Sequence, residues 1–237
     1  MNLAAKCLLL AGFFIGAHAP ALAADSETFG KYCQRIKAPE EIEPLTEEQV
    51  QETLDFIRTL ADETIAAVSD DTSTKSDLRD QFDELVERGF AVEYISSRVL
   101  PKYCNKAKVN EHIEYTTLFR TYLREYLLGQ LSSYTDETID IVGHTVTKRN
   151  DVFVKSQIVF SNDAIDVDWR VRRFDEELKI IDVVLEGVSM AVTYREDFRS
   201  IAFSDGVEGL IAILRERAEE TEAEASLADP EPLIQTP

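Results

Sequence analysis

Residues 166–203 read DVDWRVRRFDEELKIIDVVLEGVSMAVTYREDFRSIAF, and this stretch decides the fold class. In its first part Val167, Trp169 and Val171 alternate with charged residues, which is the two-residue period of a strand with one buried face. The alternation places Arg170 and Arg172 on the opposite face. The sequence therefore predicts a half-buried antiparallel strand whose charged face lies in solvent.

A second strand and a helix follow directly. Residues 178–185 are apolar on both faces apart from Lys179 and Asp182, so we expect this strand to be covered on both sides. Gly187 ends the strand. The apolar spacing over residues 189–203 then predicts an amphipathic helix.

The remaining sequence predicts helices on both sides of a strand meander. A capping-box signature, Thr-Glu-Glu-Gln at 46–49, begins a long amphipathic helix. Further helices are expected at about 75–88, 92–100, 110–133 and 207–217, and strands at about 137–142, 152–160, 166–174 and 178–186. This order is typical of an α+β domain with a curved antiparallel sheet.

Several ordered segments resemble one family. They are FIRTLADETIAAVSD, FAVEYISSRVLPKY, FRTYLREYLLGQLSSYTDETIDIVG, EGVSMAVTYREDF and GVEGLIAIL, which together span roughly residues 54–214. They resemble the MlaC-type periplasmic phospholipid carriers, also called the toluene-tolerance family. The resemblance implies an α+β fold in which helices surround a curved, mostly antiparallel four-stranded sheet. This NTF2-like cone would enclose an apolar lipid cavity.

The ends of the chain carry targeting and low-complexity signals. Lys6, an apolar run and the Ala-Leu-Ala at 21–23 predict a cleaved secretory signal peptide over 1–23. We expect an extended N-terminal arm at 24–45, an MlaC-like lipid-binding domain at 46–217 and a disordered acidic tail at 218–237. The apolar run is too short to span a bilayer, so we expect a periplasmic protein without stable membrane insertion.

The net charge limits the kinds of binding partner, and the cysteines predict a disulfide. A formal net charge of −20 disfavours binding to nucleic acid and to anionic bilayers. Cys7 leaves with the signal peptide, so Cys33 and Cys104 remain in an oxidising compartment. We expect one disulfide between them. A redox-active pair is the alternative, but neither cysteine lies in a C-x-x-C motif.

Signals for catalysis are weak. The sequence contains no nucleotide-binding loop, no cysteine or histidine spacing for a metal and no G-x-S-x-G motif, so we predict no enzyme, no catalytic residue, no metal and no cofactor. His112 and His144 are expected at the surface. Asp182 could act as a base if the cone formed a small-molecule active site, or it could pair with Arg172 or Arg195.

The cavity that the resemblance implies needs apolar walls. The helix at 110–133 is apolar over an unusually wide arc, which either a cavity or ordinary core packing can absorb. We predict a lipid-binding wall made by the following residues: Phe119, Tyr122, Leu123, Tyr126, Val154, Ile158, Trp169, Val171, Ile181, Val183, Met190, Tyr194 and Phe198.

The resemblance also implies a function. A monomeric carrier of this kind would pass phospholipid between an outer-membrane lipoprotein complex and an inner-membrane ABC transporter complex, which maintains outer-membrane lipid asymmetry. The alternative hypotheses are a hopanoid-associated lipid-binding protein and an assembly factor. Arg170 and Arg172 could dock a partner, or they could form ion pairs within the chain.

Overall fold

The structure is a computed structural model that describes residues 43–70, 72–101, 109–131, 138–159 and 164–228. The helices are α1 (Glu47–Val68), α2 (Lys75–Gly89), α3 (Val92–Val99), α4 (Val109–Leu131), α5 (Met190–Ser204) and α6 (Gly206–Ala228). The strands are β1 (Thr138–Val146), β2 (Val152–Val159), β3 (Ala164–Phe174), β4 (Glu177–Leu185) and β5 (Val188–Ser189).

The strands form one antiparallel sheet in sequence order, β1 to β5. This confirms the α+β class with helices around an antiparallel sheet, but the sheet has five strands where four were expected. The extra strand is short. Glu186 and Gly187 both have positive φ values, 50° and 80°, which is the backbone of a tight two-residue hairpin turn. The turn brings Val188 back to pair with Leu185.

Capping boxes begin the first two helices. Thr46 accepts a hydrogen bond from the backbone of Gln49, whose side chain accepts one from the backbone of Thr46, as the sequence predicts. Thr74 and Asp77 repeat the arrangement at α2, and these hydrogen bonds lower the pKa of Asp77. Each helix then turns an apolar face inward.

One main core lies between the inner face of the sheet and the helices. Its most deeply buried large side chains come from five helices and from strands β2 and β4: Ile57, Phe82, Val86, Val92, Val99, Tyr115, Phe119, Val152, Val154, Ile180, Leu210 and Leu214. A smaller cluster joins Ala91 and Tyr94 to Ile181 and Phe174. Strand β4 is therefore covered on both faces near its centre, as its apolar sequence predicts.

The end of α2 is attached to β4. Lys179 Nζ donates to the carbonyl oxygens of Glu87 (3.2 Å) and Arg88 (3.0 Å), which complements the negative end of the helix dipole. Phe90 forms an isolated parallel bridge with Ile180. Backbone hydrogen bonds and a charged side chain thus join this helix to the sheet.

Two arginines on the outer face of β3 hold a buried carboxylate. Asp151 is completely buried and accepts hydrogen bonds from Nε and Nη2 of both Arg170 and Arg172 at 2.5–2.9 Å. Arg172 also donates to the Tyr94 hydroxyl and lies 5.0 Å from the centre of that ring. Burial alone would lower the pKa of Arg172, but Asp151 and Tyr94 raise it overall. The prediction that the charged face of β3 lies in solvent is therefore wrong for Arg170 and Arg172, which form ion pairs within the protein.

His112 also departs from expectation. It is 6% exposed, because α4 turns it toward the core beside Tyr115, whereas His144 is exposed as predicted. Burial lowers the pKa of His112, since a low-dielectric surrounding disfavours the charged imidazolium.

The C-terminal helix is longer than the sequence suggested. Helix α6 continues to Ala228, so disorder is wrong for residues 218–228. Alanine and glutamate are good helix formers and extend α6 beyond its last core contacts. The predicted signal peptide at 1–23, residues 24–42 of the predicted arm, Cys33, Cys104 and residues 229–237 lie outside the described residues. Within the described ranges, no helix has the length and apolar character needed to cross a membrane.

We predict that Asp151→Asn lowers the free energy of unfolding by about 3 kcal/mol. The substitution leaves two partly buried guanidinium groups without their counter-charge, and the loss lies at the low end for a buried pair because Arg170 keeps 33% of its side chain exposed. Chemical denaturation measures the change. Asp168→Asn on the same face of the sheet is the control, and an equal loss there would contradict the assignment.

We predict that His112 makes stability depend on pH near and below its ordinary pKa of 6.5. The pKa is lowered in the folded state, so the unfolded chain binds more protons and stability falls as the pH drops from about 7.5 to 5. His112→Gln should flatten this part of the stability curve. His144→Gln should leave the slope unchanged, and a slope that His112→Gln does not alter would refute the prediction.

Candidate functional site

An apolar cavity of about 60 Å³ lies between helices α1 and α2 and the inner face of the sheet. Four of its lining residues come from α1, three from α2, and the others from α4, the α2–α3 junction and strands β1, β2 and β3. They are Ile57, Leu60, Ala61, Thr64, Phe82, Leu85, Val86, Phe90, Leu127, Ile139, Ile158 and Trp169.

The period of each element explains why these residues meet. Ile57, Leu60, Ala61 and Thr64 recur at i, i+3, i+4 and i+7, so they lie on one face of α1. On the opposite side Ile139 and Ile158 are a cross-strand pair on adjacent strands. An apolar helix face therefore lies over an apolar sheet face, and the two do not close completely.

The polar atoms of this lining are already hydrogen-bonded within the protein. Thr64 Oγ1 donates to the carbonyl oxygen of Leu60 at 2.7 Å. Trp169 Nε1 donates to Ser156 Oγ at 2.9 Å, and Ser156 donates in turn to the carbonyl oxygen of Val167. The cavity thus presents hydrocarbon surface, and its two polar side chains are engaged elsewhere.

A larger cleft of about 500 Å³ lies on the other side of α1, between that helix, the end of α2 and the start of β4. Its lining combines apolar residues with six charged ones: Glu52, Asp55, Phe56, Thr59, Leu60, Glu63, Arg88, Glu177, Leu178 and Lys179. Arg88 forms an ion pair with Glu63, and Lys179 forms one with Glu177. Leu60 lines both the cleft and the apolar cavity.

Of the thirteen residues predicted to bind lipid, Ile158 and Trp169 line the apolar cavity between α1, α2 and the sheet. Five others form an aromatic cluster between α4 and α5 with ring centres 5.4–6.5 Å apart: Phe119, Tyr122, Tyr126, Tyr194 and Phe198. Tyr122 and Tyr126 also line a groove of about 230 Å³ against α6.

The other predicted residues serve the packing of the core. Leu123, Val154 and Val171 are buried in the main cluster, and Val183 and Met190 pack against it. Ile181 belongs to the small cluster with Ala91 and Tyr94. Whether any of these residues contacts a ligand stays a prediction.

The sequence reasoning missed the walls supplied by α1 and α2. The signal was present in the sequence, because Ile57 and Ala61 recur at helical spacing in the first helix, as do Phe82, Leu85 and Val86 in the second. Apolar periodicity shows which face is turned inward. It does not show whether that face touches other side chains or a cavity.

Asp182 lies away from this cavity and has a structural task. Its carboxylate accepts hydrogen bonds from Ser189 Oγ (2.6 Å) and from the backbone of Ala191 (3.0 Å) at the start of α5. A carboxylate is stabilised at this positive end of a helix. Neither suggested partner pairs with Asp182: Arg172 binds Asp151, and no ion pair joins Asp182 to Arg195 in the part of the chain that the structure describes. Among the described residues, no group of three or more His, Cys, Asp or Glu side chains could hold a metal ion.

Comparison with known proteins gives two findings. The model of the MlaC protein family matches residues 58–216 of the chain. A solved structure of a phospholipid-binding protein from Ralstonia solanacearum, in complex with a phospholipid, is similar with a TM-score of 0.62. The match covers 71% of this chain and 97% of that one at 19% sequence identity, a likeness that shows the fold.

We predict that Ala61→Leu fills the cavity and reduces ligand uptake while the protein stays folded. Three added carbon atoms occupy space that is now open, so the thermal midpoint should hold or rise, whereas the same change in a filled core costs roughly 1–3 kcal/mol. Ala61→Ser is the matched control because it preserves the space. Unchanged uptake of apolar fluorescent probes by Ala61→Leu would show that the cavity is not the binding site.

Proposed function

The chain belongs to the MlaC protein family, and from this membership we propose that it binds phospholipid by the acyl chains in the cavity between α1, α2 and the sheet. The observation that carries the proposal is the lining. Its twelve residues offer hydrocarbon surface, while Thr64 and Trp169 satisfy their polar atoms inside the protein. Such a site suits a ligand that is itself hydrocarbon.

The energetics of transfer favour a carrier. Each methylene group exposed to water costs about 0.8 kcal/mol, so two long acyl chains cost on the order of 20 kcal/mol outside a membrane. An apolar cavity removes that cost in transit, and a bilayer removes a comparable amount at either end. The net free energy of transfer can therefore stay small without nucleotide hydrolysis by the carrier.

Binding requires the cavity to widen. A volume of about 60 Å³ is well below the range of roughly 300–1,000 Å³ that is usual for ligand pockets. Besides its buried apolar face, the wall made by α1 is joined to its surroundings by two ion pairs at the surface, Glu52 with Arg173 and Glu63 with Arg88. Such pairs contribute typically about 0–1 kcal/mol each, so they add little to the free energy needed to move α1 and enlarge the site.

The cellular role follows from the same proposal. We infer secretion to the periplasm through the signal peptide at 1–23, and exchange of phospholipid between an outer-membrane lipoprotein complex and an inner-membrane ABC transporter complex. This traffic would maintain outer-membrane lipid asymmetry. A disulfide between Cys33 and Cys104 would fasten the N-terminal arm to the domain in that oxidising compartment.

We propose binding without catalysis. Asp182, the acid that could have served as a base, is occupied by the first turn of α5, and none of the described residues that line the apolar cavity is an acid. General acid–base chemistry needs such a group within hydrogen-bonding reach of the substrate.

We predict that protein purified from the periplasm carries phospholipid. Organic extraction followed by mass spectrometry should detect glycerophospholipid in a fixed ratio to folded protein, and Ala61→Leu prepared in parallel should carry less. Wild-type protein that contains no lipid and takes up none from vesicles would refute the proposed function. Extraction of a hopanoid alone would show that the ligand is a hopanoid and not a phospholipid.

A further inference from the structure

The apolar cavity and the charged cleft share one lining residue among the described residues. Leu60, on α1, lines both spaces. Its neighbour is Gly89 at the end of α2, where an added Cβ would lie 2.7 Å from Leu60 Cδ2 and 3.2 Å from Leu60 Cδ1. The tip of Leu60 thus occupies the space that a side chain at position 89 would fill.

The two spaces suit different parts of a phospholipid. A phosphate group placed in the cavity would lose its hydration, and the described residues of the lining offer no charged partner in exchange, which makes burial there costly. The cleft offers charged side chains and stays open to water in the described part of the chain. Acyl chains suit the first space and a headgroup suits the second.

We propose that the cleft is the portal of the cavity: the acyl chains pass Leu60, and the headgroup stays in the cleft. This rests on the proposed function and adds the route and the position of the headgroup. Rotation of Leu60 and separation of the Glu63–Arg88 pair open the passage, and both occur at the boundary between α1 and α2.

The charges of the cleft select the class of headgroup. It is lined by four carboxylates and two cationic groups, namely Glu52, Asp55, Glu63, Glu177, Arg88 and Lys179. A zwitterionic headgroup can exchange partners with the pairs Glu63–Arg88 and Glu177–Lys179 and leave the charge balance unchanged. Glu52 and Asp55 are likewise paired, with Arg173 and Arg58, so an anionic headgroup adds a net negative charge to balanced pairs and must displace a carboxylate to reach a cation, which is unfavourable. The portal therefore favours zwitterionic phospholipid.

The route is tested by the rates of transfer between the full-length mature protein and vesicles, using a phosphatidylethanolamine with a pyrene-labelled acyl chain. Leu60→Ala should raise the rates of uptake and release together by about tenfold, which corresponds to a barrier lower by about 1.4 kcal/mol. Leu85→Ala removes the same atoms from a residue that lines the cavity but not the cleft. It should weaken binding mainly through faster release.

A second variant acts through the same side chain. The new Cβ of Gly89→Ala confines Leu60, so both rates should fall severalfold, while alanine at a helical position keeps the protein folded. In the Leu60→Ala background, Gly89→Ala should have no further effect, because the methyl groups that it would meet are gone. Additive effects of the two changes would contradict the route.

The headgroup position is tested with vesicles of equal parts phosphatidylethanolamine and phosphatidylglycerol. Wild-type protein should extract the zwitterionic lipid at least about threefold more often, and Glu63→Gln with Glu177→Gln should narrow the preference. Equal extraction of both lipids would overturn the headgroup assignment.

The portal is overturned if Leu60→Ala and Leu85→Ala change the rates alike, or if Ile139→Ala, at the β1 wall, speeds both rates. Wild-type protein that binds neither lipid would instead refute the proposed function.

Discussion

The contact between the inner face of the sheet and the face of α1 and α2 above it is the interaction on which the rest of the structure depends. Hydrophobic burial drives this contact, and burial alone does not require that two surfaces fit without a gap. Where Ala61 faces Ile139 and Ile158, small and branched side chains leave a space. The same force therefore builds the fold and leaves room for a hydrocarbon ligand, and the two cannot be optimised independently.

The order and the faces of the elements could be predicted from local pattern. Alternation around Trp169 gave a strand, the capping box at Thr46 gave the start of α1, and the spacing around Tyr194 gave α5. These signals depend on residues that are close in sequence. The family assignment draws on the same segments, which explains why both are confirmed while the length of α6 was underestimated.

The pairing of particular residues could not be predicted in this way. Asp151 meets Arg170 and Arg172 because of the register between β2 and β3, and Asp182 meets Ser189 because a two-residue turn reverses the chain. Both contacts depend on geometry between elements. The walls that α1 and α2 give to the cavity were missed for a related reason, since core packing and a cavity wall leave the same apolar spacing in a sequence.

The attachment of α2 to β4 makes the two helices above the cavity mechanically unequal. Phe90 pairs with Ile180 through the backbone, and Lys179 donates hydrogen bonds to two carbonyl oxygens of α2. Helix α2 therefore cannot tilt without displacing the sheet. Helix α1 is held by its buried apolar face, which includes Ile57 and Leu60, and by ion pairs such as Glu52 with Arg173, and among the described residues no backbone hydrogen bond joins it to the sheet. A shift of α1 would therefore slide apolar side chains over one another, whereas a shift of α2 would have to break a backbone hydrogen bond to the sheet and the contacts of Lys179.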